Sequence, residues 1–322
     1  MNSERKGKTS KRELRKLVRR IPPCIDTDER MYNLAKGYWV YDELIADLTK
    51  AGWVRFGPGF KAGVYGHKDS SFCIKILGMG VGEDPLFFCE RGYYIEHERK
   101  MLTDFWVAGF RFSPRVMDQH ESIAFLKDEC GVRPHQAEMR VQRNDLLVME
   151  YLPGIPLAIQ TGRRLNHDVN IDFCAPEVIA EMSSALRRLK LQLQRANNKE
   201  LFHNDPMPPN IIFVFDEKDE IAAKLVDFEL AQDLKGPCPE YVNNSVAELY
   251  RERAVPANPY TSEYQVNLDM HLLNQSIEIV NEVALAQQAA PSVHFLDPFS
   301  ISIAGIGSVN LGTGRRWLQG RQ

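Results

Sequence analysis

The stretch LFHNDPMPPNIIFVFDEKDEIAAKLVDFELAQ, residues 201–232, constrains this chain more than any other. A Pro-rich loop carries His203, Asp205 and Asn210. Two apolar runs with the character of short strands follow, and Asp227 then begins a second loop. Carboxylate and amide oxygens are the ligands that hard divalent cations prefer. Two carboxylates and one amide at these spacings therefore predict a site for such a cation.

Length and composition place this site in a globular protein. The chain has 322 residues, of which 44% are hydrophobic, enough for one large domain or two lobes with a packed core. No apolar run approaches the ~18 residues of a membrane helix, and no secretory signal is visible. The six cysteines are scattered without a C-x-x-C pair, which favours free thiols in a reducing compartment. We therefore expect a cytoplasmic protein.

The net charge of −3 is distributed unevenly. Residues 1–20 contain nine Lys or Arg and two Glu, a net charge of +7, so the remainder carries −10. Leu14, Leu17 and Val18 follow helical spacing, which predicts an amphipathic helix in this basic arm. The arm is expected to be a solvated tail, to dock on the acidic body of its own chain, or to contact nucleic acid, an anionic membrane or an acidic partner.

The order of predicted elements indicates an α+β protein. Helical spacing covers residues 35–50, and strands are predicted in 53–59 and 64–77, with a turn at 68–71 in the second of these runs. A Gly-rich connector at 78–85 leads to a helix at about 90–107. Two or three strands are expected after it, the last at 145–152. From there the chain is predicted to be mainly helical, most strongly at 176–197.

This order and the 201–232 motifs resemble the protein-kinase-like superfamily, which includes protein kinases and the aminoglycoside and choline kinases. The resemblance covers roughly residues 52–285. It implies a bilobal fold, with a basic arm at 1–30, a β-rich nucleotide-binding lobe at 31–152 and a helical lobe at 153–322. Residues 286–322 match nothing in this pattern.

The resemblance also implies roles for the opening motif. His203-x-Asp205-x-x-x-x-Asn210 matches the catalytic loop of the superfamily, and Asp227-Phe-Glu matches its metal-binding loop. A phosphoryl group leaving ATP carries dispersed negative charge, which Mg²⁺ neutralises. Asn210 and Asp227 are expected to bind Mg²⁺, and Asp205 is expected to take the proton of the acceptor hydroxyl. His203 is interpreted as a packing and hydrogen-bonding residue.

The nucleotide-binding side of the resemblance involves the first strands and the helix after them. Lys75 matches the strand lysine that holds the α- and β-phosphates, and Glu98 is its expected partner, with Glu96 and Glu90 as alternatives. The residues expected around the nucleotide are Gly57, Gly59, Ala62 and Val64 of a Gly-rich hairpin, Lys75, and Met149, Glu150 and Leu152 of an inter-lobe hinge. Met149 is expected behind the adenine, and Glu150 and Leu152 are expected to offer backbone groups to its edge.

Several positions depart from the pattern of regulated protein kinases. Asn204 stands where those enzymes carry Arg, Glu229 replaces the Gly of Asp-Phe-Gly, and no Ala-Pro-Glu follows. Asp269 is a candidate brace for the catalytic loop. The acceptor is expected to be a protein Ser or Thr hydroxyl. The alternatives are a small-molecule kinase of the aminoglycoside, choline or sugar type, and a nucleotide-binding pseudokinase.

The acceptor depends on the chain between the hinge and the catalytic loop. Residues 153–202 offer one long helix and a short polar loop, which leaves a cleft open enough for a polypeptide. Arg163, Arg164 and His167 on that loop are equally consistent with an anion pocket or with a solvated basic cluster. ATP and Mg²⁺ are the expected cofactors in either case.

Overall fold

A computed structural model describes residues 10–18, 43–56, 62–77, 85–157, 174–252, 262–289, 294–297, 300–302 and 308–310. Across these ranges the chain combines long helices with antiparallel sheets, which is the predicted α+β class. No helix in the described part of the chain combines the length and apolar character needed to cross a membrane.

Eight α-helices lie in the described ranges. They are α1 (Lys11–Val18), α2 (Glu43–Lys50), α3 (Pro85–Val107), α4 (Gln119–Asp128), α5 (Pro134–Gln142), α6 (Pro176–Asn197), α7 (Glu240–Glu252) and α8 (Ser262–Ala289).

Twelve strands form four antiparallel sheets in the same ranges. The first sheet has the order β1 (Val54–Phe56), β2 (Ala62–Gly66), β3 (Phe72–Leu77), β4 (Leu146–Glu150). The second has the order β5 (Gly154–Pro156), β7 (Ile211–Phe215), β8 (Ile221–Leu225), and the third pairs β6 (Leu201–Phe202) with β9 (Gln232–Asp233). The fourth contains β10 (His294–Asp297), β11 (Ser300–Ser302) and β12 (Ser308–Asn310).

The two faces of the first sheet have different surroundings, because successive side chains along a strand point to opposite faces. Ile74 and Ile76 of β3 are fully buried in a core that also contains residues of α2, α4 and α5. Lys75 lies on the opposite face. Val64 of β2 and Leu147 of β4 are its direct cross-strand partners and therefore share its face.

A larger core joins helices to the second sheet. Helices α6 and α8 pack along each other, and buried residues of α6 also contact β8. This core contains Leu147 of the first sheet and Phe105 of α3, so it extends across the predicted lobe boundary at residue 152. That boundary stays a prediction.

The region between α3 and β4 differs from the sequence prediction. Two or three strands were expected there, but the chain forms α4 and α5 before the single strand β4. The prediction was wrong because the helix-start signals outweigh the short apolar runs. Asp118 caps α4 in a reciprocal capping box with Glu121, and Pro134 occupies the first turn of α5.

The predicted helix in the basic arm is present as α1, and it packs on the rest of the chain. Leu14 is buried in the larger core. Lys11 lies 2.7 Å from a carboxylate oxygen of Glu181, and Arg15 lies 3.0 Å from one of Asp219. Of the alternatives expected for the arm, the described part therefore follows docking on the acidic body of its own chain.

Candidate active site

Asp269 of α8 fixes the backbone of the loop that follows β6. This side chain is fully buried and accepts hydrogen bonds from the backbone N–H groups of His203 (3.1 Å) and Asn204 (2.6 Å). Burial raises the pKa of Asp269 to about 7, and these N–H groups act in the opposite direction. Asn204 has a φ of 64°, a left-handed conformation that Asn tolerates better than most residues. Through these two hydrogen bonds, Asp269 braces the loop as expected from the sequence.

His203 connects the two loops of the site. Its Nε2 lies 3.2 Å from the carbonyl oxygen of Val226, and its Nδ1 accepts a hydrogen bond of 3.3 Å from the N–H of Asp205. One neutral tautomer, with the hydrogen on Nε2, satisfies both contacts. Burial lowers the pKa of His203 to about 4, which is consistent with a neutral ring. The contacts are those of the packing and hydrogen-bonding residue that the sequence predicts.

Asp205 and Asn210 face each other across a tight turn. Pro208–Asn210 form a short 3₁₀ turn, and the Asn210 amide nitrogen donates to Asp205 Oδ2 (2.7 Å) and to the Asp205 carbonyl (2.9 Å). Because the amide nitrogen faces Asp205, the amide oxygen Oδ1 points to the other side of the group. The Asp205 carboxylate is thus oriented by a neutral donor.

The second loop lies beside the first. The N–H of Val226 donates to the carbonyl of Asn210 at 2.9 Å, which places Asp227 next to the turn that carries Asn210. Asp227 has a φ of 64° and its Oδ1 lies 2.9 Å from Lys75 Nζ. Its side chain is 41% exposed, so its carboxylate remains accessible to solvent.

Lys75 binds two carboxylates at once. Its Nζ lies 2.8 Å from Glu98 Oε2 as well as 2.9 Å from Asp227. Burial alone would lower the pKa of Lys75, but Glu98 and Asp227 outweigh that effect and raise it. Burial raises the pKa of Glu98, and the ammonium group of Lys75 opposes the rise. The contacts are those of a charged pair in a water-poor setting.

Glu98 is the α3 carboxylate that the structure brings to Lys75. Its side chain is 3% exposed and also accepts a hydrogen bond of 3.3 Å from the N–H of Phe228. Met101, Leu102 and Phe105 follow on the same buried side of α3, as the helical spacing predicts. Glu96 is exposed on the other side, and the side chain of Glu90 lies outside the described residues. Glu98 therefore links α3, β3 and the loop that begins at Asp227.

The predicted nucleotide residues are only partly described. Gly57 and Gly59 lie outside the described residues, and for Ala62 the structure describes only the backbone, in β2 opposite Leu77. Val64 and Met149 lie on the Lys75 face of the first sheet.

Two backbone groups at the predicted hinge are already used within the protein. The N–H of Glu150 donates to the carbonyl of Arg115 at 2.7 Å, and that of Tyr151 donates to Ser71 at 2.8 Å. An adenine edge at this strand end would therefore have to use the Glu150 carbonyl, which also accepts a weak hydrogen bond of 3.9 Å from the Cys73 thiol, or the backbone of Leu152.

The residues present fit a divalent cation held jointly with a phosphorylated ligand. Asn210 and Asp227 offer one amide oxygen and one accessible carboxylate on adjacent loops, which suits Mg²⁺ because it usually takes few protein ligands and completes its shell with phosphate oxygens and water. In the described part of the chain, no three His, Cys, Asp or Glu side chains cluster to form a metal site. A two-ligand site of this kind does not require such a cluster.

Sequence reasoning missed three residues around the second loop. His97 Nε2 contacts the carbonyl of Ala231 at 2.7 Å, and Gln232 bonds to Asn204 and to Asn243 of α7. No pattern near these residues marks them. Burial of Gln232, an amide normally found at the surface, became visible only in the tertiary structure.

No protein-family model matches the chain, and a search of curated proteins finds no match. Function is therefore inferred from the residues of this chain.

Proposed function

We propose that this chain is an ATP-dependent phosphotransferase of protein-kinase-like, bilobal fold, which moves the γ-phosphate of Mg-ATP to a hydroxyl group. One observation carries the proposal: Lys75 contacts both Glu98 and Asp227, while Asp205 and Asn210 lie on the adjoining loop. The four elements β3, α3 and the two loops thus converge with the residue types that phosphoryl transfer needs.

The exposures of the two carboxylates on Lys75 support different roles. Glu98 is 3% exposed and fixed by Phe228, so it serves to hold Lys75 in place. Asp227 is 41% exposed and stands next to Asn210, so it is the carboxylate that a cation entering the cleft would meet. Mg²⁺ bound there would supply positive charge to the phosphate oxygens.

Asp205 is proposed as the group that receives the acceptor proton. In this role its carboxylate accepts the hydroxyl proton while the acceptor oxygen bonds to the γ-phosphorus and the bond from that phosphorus to the ADP oxygen breaks. The Asn210 amide nitrogen donates a hydrogen bond of 2.7 Å that orients the Asp205 carboxylate. This nitrogen does not compete with the carboxylate for the proton of the acceptor hydroxyl. Lys75 is proposed to hold the phosphates of ATP.

A protein Ser or Thr is the proposed acceptor, and a small molecule is the alternative. The discriminating loop with Arg163, Arg164 and His167 lies outside the described residues. A pseudokinase is the second alternative, which the filled positions Lys75, Asp205, Asn210 and Asp227 argue against.

Transfer from γ-labelled ATP tests the proposal. Purified protein is incubated with Mg²⁺ and either a desalted protein lysate or the small-molecule fraction of the same lysate, and mass spectrometry then identifies the phosphorylated product. Label on Ser or Thr of proteins supports the proposed acceptor, and label in the small-molecule fraction supports the alternative. Absence of label in both fractions contradicts the proposed phosphotransferase activity.

Two variants separate the proposed roles. Asp205→Asn should keep nucleotide binding and slow transfer by ~10²–10⁴-fold, the usual contribution of a general base. Asp227→Asn should weaken binding of Mg-ATP itself, measured by calorimetry with and without Mg²⁺. Asp128→Asn, at the exposed end of α4, is the matched control. Wild-type turnover of Asp205→Asn at saturating ATP would refute its role.

A further inference from the structure

Gln232 is a buried amide placed between the catalytic loop and α7. Its side chain is 1% exposed, although Gln is among the residue types that usually remain in water. A buried amide is costly unless its oxygen and nitrogen both find partners. The partners of Gln232 therefore indicate why it is there.

The contacts of Gln232 form a directed chain of side-chain amides. Asn204 Nδ2 donates to Gln232 Oε1 at 3.0 Å, and Gln232 Nε2 donates to Asn243 Oδ1 at 2.7 Å. Asn204 Nδ2 also donates to the Leu230 carbonyl at 2.8 Å. Gln232 Nε2 also donates to Cys238 Sγ at 3.2 Å. Its oxygen accepts and its nitrogen donates in all of these contacts, so the orientation of the Gln232 amide is set by its neighbours. We name Asn204, Gln232 and Asn243 the amide clasp.

The clasp joins three parts of the proposed site. Asn204 immediately precedes Asp205 and is fixed through its own N–H to Asp269. Gln232 lies in β9, five residues after Asp227, and Asn243 lies in the first turns of α7. Residues 228–239, the segment between Asp227 and α7, are therefore bound to the catalytic loop from one side.

Helix α3 binds the same segment from the other side. His97 Nε2 donates to the Ala231 carbonyl at 2.7 Å, and Glu98 accepts from the N–H of Phe228 at 3.3 Å. The rings of Tyr94 and Tyr241, from α3 and α7, lie 4.2 Å apart between centroids. The 228–239 segment is thus held between the helix that carries Glu98 and the loop that carries Asp205.

We infer that the amide clasp is a positioning device that keeps the 228–239 segment ordered beside Asp205 without phosphorylation, with Gln232 as its central residue. The inference rests on the proposed function, because it assigns this segment to the acceptor side of the site. In regulated kinases an Arg before the catalytic Asp pairs with a phosphate to order the corresponding segment. Here that position is Asn204, and neutral amides make the connection.

The neutral clasp has a physical advantage in a buried position. An unpaired charge is far more costly to bury than an amide, so an Arg–phosphate contact orders a loop only after the phosphate arrives. The amides of Asn204 and Gln232 carry no net charge, and both the oxygen and the nitrogen of Gln232 find partners within the chain. The ordered state is therefore the resting state of the protein.

Hydrogen–deuterium exchange of the whole 322-residue chain tests the clasp independently of activity. The variants are Gln232→Ala and Asn243→Ala, which break the clasp, and Asn243→Asp, which keeps an oxygen to accept from Gln232. Asn244→Ala, the exposed neighbour on α7, is the matched control. Exchange in 228–239 is compared with exchange in α6, so that local loosening is separated from general destabilisation.

We expect exchange in 228–239 to become about tenfold faster in both alanine variants, as for loss of one hydrogen bond, with α6 unchanged and with Asn243→Asp and Asn244→Ala close to wild type. With a Ser/Thr-containing peptide library as acceptor, the same alanine variants should raise KM for peptide more than KM for ATP. Unphosphorylated wild-type protein should show the slow exchange.

Three results would overturn the inference. These are wild-type exchange in the alanine variants, equal acceleration in 228–239 and α6, or a wild-type segment that exchanges slowly only after phosphorylation. Absence of phosphate transfer by the wild-type protein counts against the proposed function instead, and the exchange comparison still decides whether the clasp orders the segment.

Discussion

At the scale of single residues, Lys75 joins two carboxylates that differ in burial. Removing Glu98 leaves Lys75 with Asp227 alone and frees it to move, and a displacement of about 1 Å at such a site costs ~10²-fold in rate. We expect Lys75→Met and Glu98→Gln each to reduce the rate of phosphate transfer by ~10²-fold. The double variant should lose little more activity than either single variant, because the two residues act as a unit. A double-mutant cycle on kcat/KM measures this. Additive losses would contradict it.

His203 should make stability depend on pH. Its folded pKa of about 4 lies below the ordinary value of 6.5. Between these values the unfolded chain binds a proton that the folded chain does not, so stability is complete above pH 6.5 and falls as the pH drops towards 4. The difference of 2.5 in pKa corresponds to roughly 3 kcal/mol.

Urea denaturation of the wild type and of His203→Gln, from pH 4 to pH 7.5, checks the pH prediction. Gln does not titrate, so the stability gap between the two proteins should shrink as the pH falls. A gap that stays constant with pH would show that His203 does not titrate in this way.

At the scale of elements, β5 approaches β7 so closely that only glycine fits at residue 154. A Cβ there would collide with Ile212 Cγ2 and would lie 2.5 Å from the backbone oxygen of Phe213, which cannot turn aside. Gly154→Ala should therefore lower the unfolding free energy by roughly 1–3 kcal/mol, the usual range for overpacking.

Thermal denaturation measures the Gly154 effect. The matched control is Gly236→Ala, because the nearest atom to a Cβ at that position is 3.7 Å away. An unchanged melting temperature for Gly154→Ala would show that β5 does not pair tightly with β7.

At the scale of the whole molecule, helix α1 is held mainly by one apolar side chain. The ion pairs of Lys11 and Arg15 are between 31% and 46% exposed, and such pairs contribute about 0–1 kcal/mol. Leu14 is 1% exposed within the larger core, and replacing a buried Leu by Ala typically costs about 2–5 kcal/mol. Burial, and not charge, therefore decides whether α1 stays docked.

Leu14→Ala should consequently destabilise the protein more than Lys11→Ala and Arg15→Ala combined. Denaturation in low and high salt distinguishes the two contributions, since salt weakens only the ion pairs. Arg12→Ala, exposed on the same helix, is the control. For the same reason, deletion of residues 1–20 should reduce stability. If Leu14→Ala is as stable as wild type, α1 is not part of the core in solution.

The sequence by itself determined the local features of this protein. The spacing of apolar residues located α6 and the buried side of α3, and the alternation along β3 placed Lys75 opposite the face of Ile74 and Ile76. The sequence also predicted that Asp205, Asn210 and Asp227 lie on two loops separated by short strands, and they do so. Such patterns are readable because they report neighbours within one helical turn or one strand.

Only the tertiary structure decided which distant residues meet. Lys75 and Asp227 are 152 residues apart, yet they form an ion pair, and Leu14 reaches the same core as Phe105. Sequence reasoning reached the Lys75 contacts only by resemblance, and it missed Gln232 and the helices α4 and α5. Such contacts depend on how the chain reverses direction between elements, which no local pattern of hydrophobicity or charge encodes.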